Sequence, residues 1–297
     1  MLNRITLLFC GFLLVFGSCD LTKDKKVSSS VFNQILGEDV IHIQSEAFYW
    51  AMALKDYRFN YVETGSEENR FLSDCAFITL DSISGSFPTK KPGAVEWYSY
   101  YDINFSYDGD CPRDVDGVVR EGNSSFYFLK NGRRNDTVGL INWDNLLVEP
   151  YTMNGQMAFE YAAPYIGEGF DYPQFILKGE NLEFTSGNQT IYANIDFTIR
   201  QAGGNLTEGY PDDGYFIMGN GSGIDRNGEP FTFTISSSLV WTANGNCVKG
   251  FKHGRTTVTN ENSLFFIDYD VEDTYACDNR AFLIVGENDT REVSIRR

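Results

Sequence analysis

The sequence predicts a mainly β protein, built of antiparallel sheets as a sandwich or an open half-barrel, with one helix near the N-terminus. Three observations point there. Hydrophobic residues make up 42% of the 297-residue chain and aromatics 15%, a composition able to bury a core and suited to half-buried pleated surfaces. Ile191, Ala193, Ile195, Phe197 and Ile199 alternate with Tyr192, Asn194, Asp196, Thr198 and Arg200, the two-residue period of a strand with one buried and one wet face. The pairs Asn131-Gly132, Asn154-Gly155, Asn227-Gly228 and Asn244-Gly245 tolerate the positive φ angles of tight hairpin turns, so the expected topology is mostly up-and-down.

At the N-terminus, Asn3 and Arg4 lead an apolar run from Ile5 to Phe16, and Gly17-Ser18 precede Cys19. This is the layout of a secretory signal peptide over residues 1–18. The run is shorter than the ~20 residues a transmembrane helix needs. The ending VFGSC is similar to the lipobox of bacterial lipoproteins, with Phe16 where leucine is more frequent. Cys19 is therefore the expected lipid attachment site; an ordinary signal with a chance cysteine is the plainer alternative. Residues 19–30 are polar and without periodicity, a flexible tether that reaches at most ~40 Å when stretched. The expected partner at this end is a membrane, held through more than one acyl chain because a single chain binds weakly.

Residues 31–62 form the expected helical segment, since Ala47, Phe48, Ala51, Leu54 and Tyr57 share one helical stripe. Gly65, Glu67, Glu68 and Arg70 end it. Residues 63–297 form the antiparallel β body, as one unit or as two fused units, 63–150 and 151–297. Its short strand-like runs are CAFITLDSI, WYSYYDINFSY, SFYFLK, TVGLINW, QFILK, FTFTI, RTTVT, LFFIDYD, AFLIV and REVSIR, besides the alternating run from Ile191.

The net charge of −17 repels nucleic acid and anionic headgroups, which excludes polyanion partners. Of the six cysteines, Cys10 leaves with the signal and Cys19 carries the lipid. Cys75, Cys111, Cys247 and Cys277 remain as disulfide candidates with three possible pairings. Neighbour pairing, Cys75 with Cys111 and Cys247 with Cys277, is expected because each pair brackets one strand-rich block. Each bridge would stabilise by about 3–4 kcal/mol on the chain-entropy model. A zinc site is the weaker competitor, lacking Cys-x-x-Cys spacing and having only His253 nearby.

An ordered set of motifs runs through most of residues 40–297: CAFITLD, Phe87-Pro88, YDINFSYDGDC, the DVDGVVREGNSSFYF hairpin from Asp114, EPYTMNGQMAFEY, DDGYFIMGNGSGIDRNGEPFTFTISSSLVW, NGNCVKGFKHGRTTVT, FFIDYDVEDTYACDN and TREVSIRR. In this order they resemble a family of Bacteroidota lipoproteins of unknown function, with its "ITIDFG…GC" strand, "DGR.R.G.I" hairpin and "iDyG.G.CDn" finish. This chain departs at the DFG-like positions, with Asn104-Phe105-Ser106 and Asp268-Tyr269-Asp270. The resemblance implies architecture and a cell-envelope address only, since the family carries no established activity; the outer membrane is the expected location.

Several constellations of residues bear on chemistry. Asp108, Asp110, Asp114 and Asp116 with Gly117 place hard oxygen donors at the spacing Ca²⁺ uses. Pro112 and Asn123 break the EF-hand pattern, so a solvated hairpin turn is the expectation and no metal is expected. Asp268, Asp270, Glu272 and Asp273 form a second acidic run; alternation puts Asp268 and Asp270 on a wet face. His42, read as lying next to the helix, and His253 are the two histidines, and neither sits in a catalytic motif. Carboxylate pairs for glycoside hydrolysis are too numerous among 41 acids to discriminate. Gly219, Gly221 and Gly223 read as a glycine-rich turn between strands, since no helix follows to bind an anion. Trp97 in WYSYY is the candidate glycan platform, with core packing as the alternative.

The expectation is a non-enzymatic, lipid-anchored envelope protein without cofactors, a binding or structural module whose ligand, protein or glycan, is not written in the sequence. The alternative is a glycan-binding or glycan-processing surface lipoprotein. A third reading, a curved sheet carrying an apolar ligand, rests on fold analogy alone.

Overall fold

The computed structural model describes residues 29–57, 76–88, 95–107, 117–129, 138–167, 170–203, 213–242, 250–274, 280–286 and 289–295. One helix, α1 (Ser29–Tyr57), precedes thirteen strands: β1 (Ala76–Pro88), β2 (Val95–Tyr107), β3 (Arg120–Leu129), β4 (Val138–Val148), β5 (Tyr151–Gly167), β6 (Phe170–Ser186), β7 (Gln189–Gly203), β8 (Gly214–Ile224), β9 (Pro230–Thr242), β10 (His253–Asn260), β11 (Leu264–Asp268), β12 (Arg280–Ile284) and β13 (Thr290–Ser294). They form one sheet in chain order, every neighbour antiparallel. Among the described residues no ladder joins β13 to β1, so the described sheet is open. The 150/151 boundary falls at the turn between β4 and β5, which pair directly.

The two-residue period works as the sequence predicts. Along β7, Ile191, Ala193, Ile195, Phe197 and Ile199 are buried, while Tyr192, Asn194 and Asp196 are exposed. The same inward face continues through Phe175, Leu177 and Phe184 on β6, Ile217 on β8 and Phe231 and Phe233 on β9. One side of the sheet is thus a continuous apolar surface, and α1 lies on it.

The way α1 meets the sheet fixes its shape. Gln44 Nε2 donates to Thr256 Oγ1 on β10 at 3.0 Å, while Arg120 Nη2 on β3 donates to the Glu46 carboxylate at 3.0 and 3.1 Å. β3 and β10 stand seven places apart in the sheet, ~34 Å at the usual strand spacing. Gln44 and Glu46 are two residues apart on a helix only ~10 Å across, and two steps of ~100° turn their side chains to opposite sides. The sheet therefore curls around α1. This is the half-barrel arrangement rather than two stacked sheets.

α1 is accordingly not the one-striped helix that the spacing of Ala47, Phe48, Ala51, Leu54 and Tyr57 suggests. From Leu36 to Leu54 every residue is buried except Glu38, which is exposed, and His42, which is half-buried. Of the expected 31–62 segment, residues 58–62 lie outside the described residues. His42 stands within the helix, not beside it.

Two turn expectations are corrected. Asn154-Gly155 is not a hairpin turn but lies inside β5. Gly155 has φ +127° at an irregularity of the β5–β6 ladder, and Asn154 Oδ1 accepts from the Asn145 amide at 2.8 Å. The glycine-rich stretch 219–223 is not a turn but the middle of β8. Gly221 and Gly223 lie opposite Phe233 and Phe231. A Cβ on Gly221 would stand 2.3 Å from the Phe233 ring, and one on Gly223 would stand 2.8 Å from the Phe231 ring and 2.0 Å from Tyr192 O, so glycine is what lets those rings lie across the strand. Asn227-Gly228 does make the β8–β9 turn, with Asp225 Oδ1 accepting from the Asn227 and Glu229 amides at 2.7 and 3.0 Å. Asn131-Gly132 and Asn244-Gly245 lie outside the described residues.

An up-and-down sheet sends alternate connections to opposite ends, and α1 labels them. Near its start, Asn33 Oδ1 accepts from Ser263 Oγ at 2.7 Å in the β10–β11 turn, and Asp39 meets Arg226 of the β8–β9 turn. Near its finish, Leu54 packs on Gly139 at the start of β4, and Lys55 Nζ donates to Tyr215 Oη at the start of β8, 2.6 Å away. The end of the sheet beside Ser29 is therefore opposite to the one where β5 passes to β6, β9 to β10 and β11 to β12.

Candidate functional site

The chemistry-bearing side chains fall into two places: a polar seam along α1 inside the sheet, and a rim at the end away from Ser29.

Four contacts make the seam. Nearest the start of the helix, Tyr151 Oη donates to Asp39 Oδ1 at 2.5 Å. Arg226 Nε donates to Asp39 Oδ2 at 3.1 Å, and its Nη2 donates to Asp39 Oδ1 and to Tyr151 Oη at 2.5 and 2.8 Å. His42, one turn on, lays its ring over Tyr151 at 4.2 Å. Burial pushes the Asp39 carboxyl above its usual range despite the lowering by Arg226 and Tyr151. Burial, followed by the neighbouring Asp39 charge, holds the Tyr151 phenol well above its ordinary value. For Arg226, burial works against the charge, and Asp39 outweighs it, so the guanidinium remains protonated.

In the middle, Tyr269 Oη donates to Gln44 Oε1 at 2.8 Å beside the Gln44–Thr256 bond; burial alone raises the Tyr269 phenol. On the opposite side, the Glu46–Arg120 pair has side-chain exposures of 1% and 0%, and the guanidinium stacks 3.6 Å from the Tyr49 ring centre. Near the helix end, Lys55 meets Tyr215, whose Oη donates to Asp213 Oδ2 at 3.1 Å. Gln201 Nε2 donates to the other Asp213 oxygen at 3.2 Å. A buried polar group is tolerated when it is hydrogen-bonded, and a buried charge when it is paired. Asp39, Gln44 and Glu46 meet these conditions by drawing partners from strands and turns far apart in sequence, so their chemistry is that of a fastening between helix and sheet.

The rim carries a different set. His253 opens β10, beside irregularities in its pairing with β9; Asp270 and Asp273 follow β11. The Tyr269 amide donates to Gly254 O at 3.0 Å and ties the two segments together. His253 Nδ1 lies 3.4 Å from Asp270 Oδ2 and 4.0 Å from Asp273 Oδ1, and the three donor atoms all lie within 4.8 Å of one another. Here the sequence reading is corrected: Asp268 and Asp270 are not on a wet face. Asp268 is buried at 6% exposure because Arg255, opposite it in register, caps its carboxylate from Nε at 2.9 Å and also from Nη2. The Asp270 side chain is 5% exposed, with Oδ1 accepting from the Thr274 amide and Oγ1 and Oδ2 facing His253.

On the same end, the β5–β6 hairpin runs past the last β4 partner, at Glu160, and the first β7 partner, at Gln174. It carries Ile166 and Tyr165 at 77% and 44% exposure. The Tyr172 ring lies 6.4 Å from Tyr165, and the Arg200 guanidinium lies 3.5 Å over the Tyr165 ring. The sequence reading did not single out this hairpin; His253 and the acidic run with Asp270 and Asp273 were singled out, but not as one group.

Of the residues that were, Cys19, Cys75, Cys111, Cys247, Cys277, Asp108, Asp110, Asp114 and Asp116 lie outside the described residues. Trp97 stands on β2 opposite Ser86, and its side chain lies outside them too.

The Glu46–Arg120 pair gives a direct test of the seam. Removing one charge, as in Glu46→Leu or Arg120→Met, is expected to cost about 3–5 kcal/mol in denaturant unfolding. The double substitution is expected to recover most of that, because apolar replacements leave no buried charge behind. Additive losses would show that the two groups do not act as a pair.

No family model, no curated protein and no solved structure matches this chain.

Proposed function

We propose that the protein is a lipid-anchored module of the cell envelope, attached through Cys19, that works by binding or by structural contact rather than by catalysis. The observation that carries this reading is the filled interior. The surface on which a curved sheet would hold an apolar ligand is covered by α1 from Leu36 to Leu54. The buried acids of the seam, Asp39 and Glu46, are engaged by Arg226 and Arg120. What is offered to a partner is then the outside of the sheet and its rim. The motif resemblance supports the same address.

Labelled palmitate is expected to enter the wild-type protein and not Cys19→Ala, which should also leave the membrane fraction. Label in the variant would refute the attachment site.

A second reading, glycan binding, is favoured by the exposed Tyr165 beside Tyr172 and Arg200 at that rim. Aromatic faces stack on the apolar faces of sugars, and charged neighbours take the hydroxyls. In a polysaccharide pull-down, this reading expects retention that falls about tenfold in Tyr165→Ala. Retention unchanged in that variant would remove the hairpin from consideration.

A further inference from the structure

We propose that His253, Asp270 and Asp273 form a binding site for one divalent transition-metal ion of the zinc type. The site does not depend on the lipid anchor, and it can fail or stand separately from it.

The donor set comes first. One imidazole nitrogen and two carboxylate oxygens converge, with His253 Nδ1 at 3.4 Å from Asp270 Oδ2 and 4.0 Å from Asp273 Oδ1. Zinc holds such ligands at about 2.0–2.2 Å, which puts two of them ~3.4 Å apart at the tetrahedral angle. The observed separations need only small side-chain movement to enclose an ion. An imidazole in the set favours transition metals over Ca²⁺ and Mg²⁺, which take oxygen donors.

The surroundings are those of a held ligand set. Asp270 Oδ1 accepts from the Thr274 amide at 2.9 Å and from Thr274 Oγ1 at 3.3 Å, which orients the carboxylate and turns Oδ2 toward His253. Ligating carboxylates are commonly fixed by such outer hydrogen bonds. The Tyr269–Gly254 backbone bond holds the two contributing segments in place. Arg255, the neighbouring cation on β10, is committed to Asp268. The Asp270 side chain is 5% exposed, that of His253 25% and that of Asp273 80%. The group is therefore closed on the protein side and open to solvent on the other, as an ion entering from outside requires. Three protein donors with an open side leave at least one position for water or for a partner's ligand.

The competing account is a simple imidazolium–carboxylate contact, and a titration separates the two. The full-length chain, kept under non-reducing conditions, would be titrated with zinc chloride at pH 7 by calorimetry, and the loaded protein examined by X-ray absorption. The proposal expects one zinc per chain and a coordination sphere of nitrogen and oxygen only. Asp273→Asn and His253→Gln should each weaken binding about tenfold or more, with circular dichroism unchanged. Asp273 projects into solvent, so its variant decides the matter even if the histidine variant folds poorly. No zinc uptake, undiminished affinity in Asp273→Asn, or a sulfur ligand in the absorption spectrum would each overturn the proposal.

Discussion

Among the described residues, thirteen antiparallel strands joined in sequence order create one broad apolar face, and in water that face is stable only if something covers it. Here the cover is a single helix from the same chain. Burying a side chain such as Trp50, Phe126 or Trp241, all at 2% exposure or less, contributes about 1.5–3 kcal/mol for an ordinary large apolar group. The apolar contacts therefore drive the sheet to close on α1. They do not fix where α1 sits along its axis or about it. Those coordinates are set by Asp39, Gln44, Glu46 and Lys55, each bonded to a different part of the sheet. A slip of one helical turn would leave buried charges unpaired, at several kcal/mol each.

Much of this architecture can be read in the residues. Every run with a clean two-residue period falls on a strand, and Ile191 to Ile199 show the period most plainly because β7 is buried on one face and wet on the other. The two strands that leave no such run are β5 and β8. In β5 the alternation is interrupted at Asn154-Gly155, a pair whose turn propensity is overridden by pairing with β4 and β6. In β8 the inward positions Gly219, Gly221 and Gly223 have no side chain to register as hydrophobic, because the space is filled from β9 by Phe231 and Phe233. Glycine is ambiguous in a sequence: it marks a turn as readily as a close approach.

The helix was visible as a helix but not as a core element. A residue such as Glu46 or Asp39 reads as solvent-facing, and only the arrival of Arg120 or Arg226 makes its burial tolerable. Those arginines are 74 and 187 positions away in the chain, beyond any local pattern. The same holds for Asp268, whose cross-strand partner Arg255 turns a wet position into a buried one. His253 and the acidic run with Asp270 and Asp273 are visible in the sequence, but not as one group, because the two segments come together only when β10 and β11 pair.

α1 is an integral filling of the sheet rather than a segment resting against it. Native-state hydrogen exchange measures this most directly. Backbone amides from Val40 to Leu54 should exchange as slowly as those of β6 and β7 and be released with them in one global opening. Exchange in α1 orders of magnitude faster than in those strands, while the strands stay protected, would contradict it.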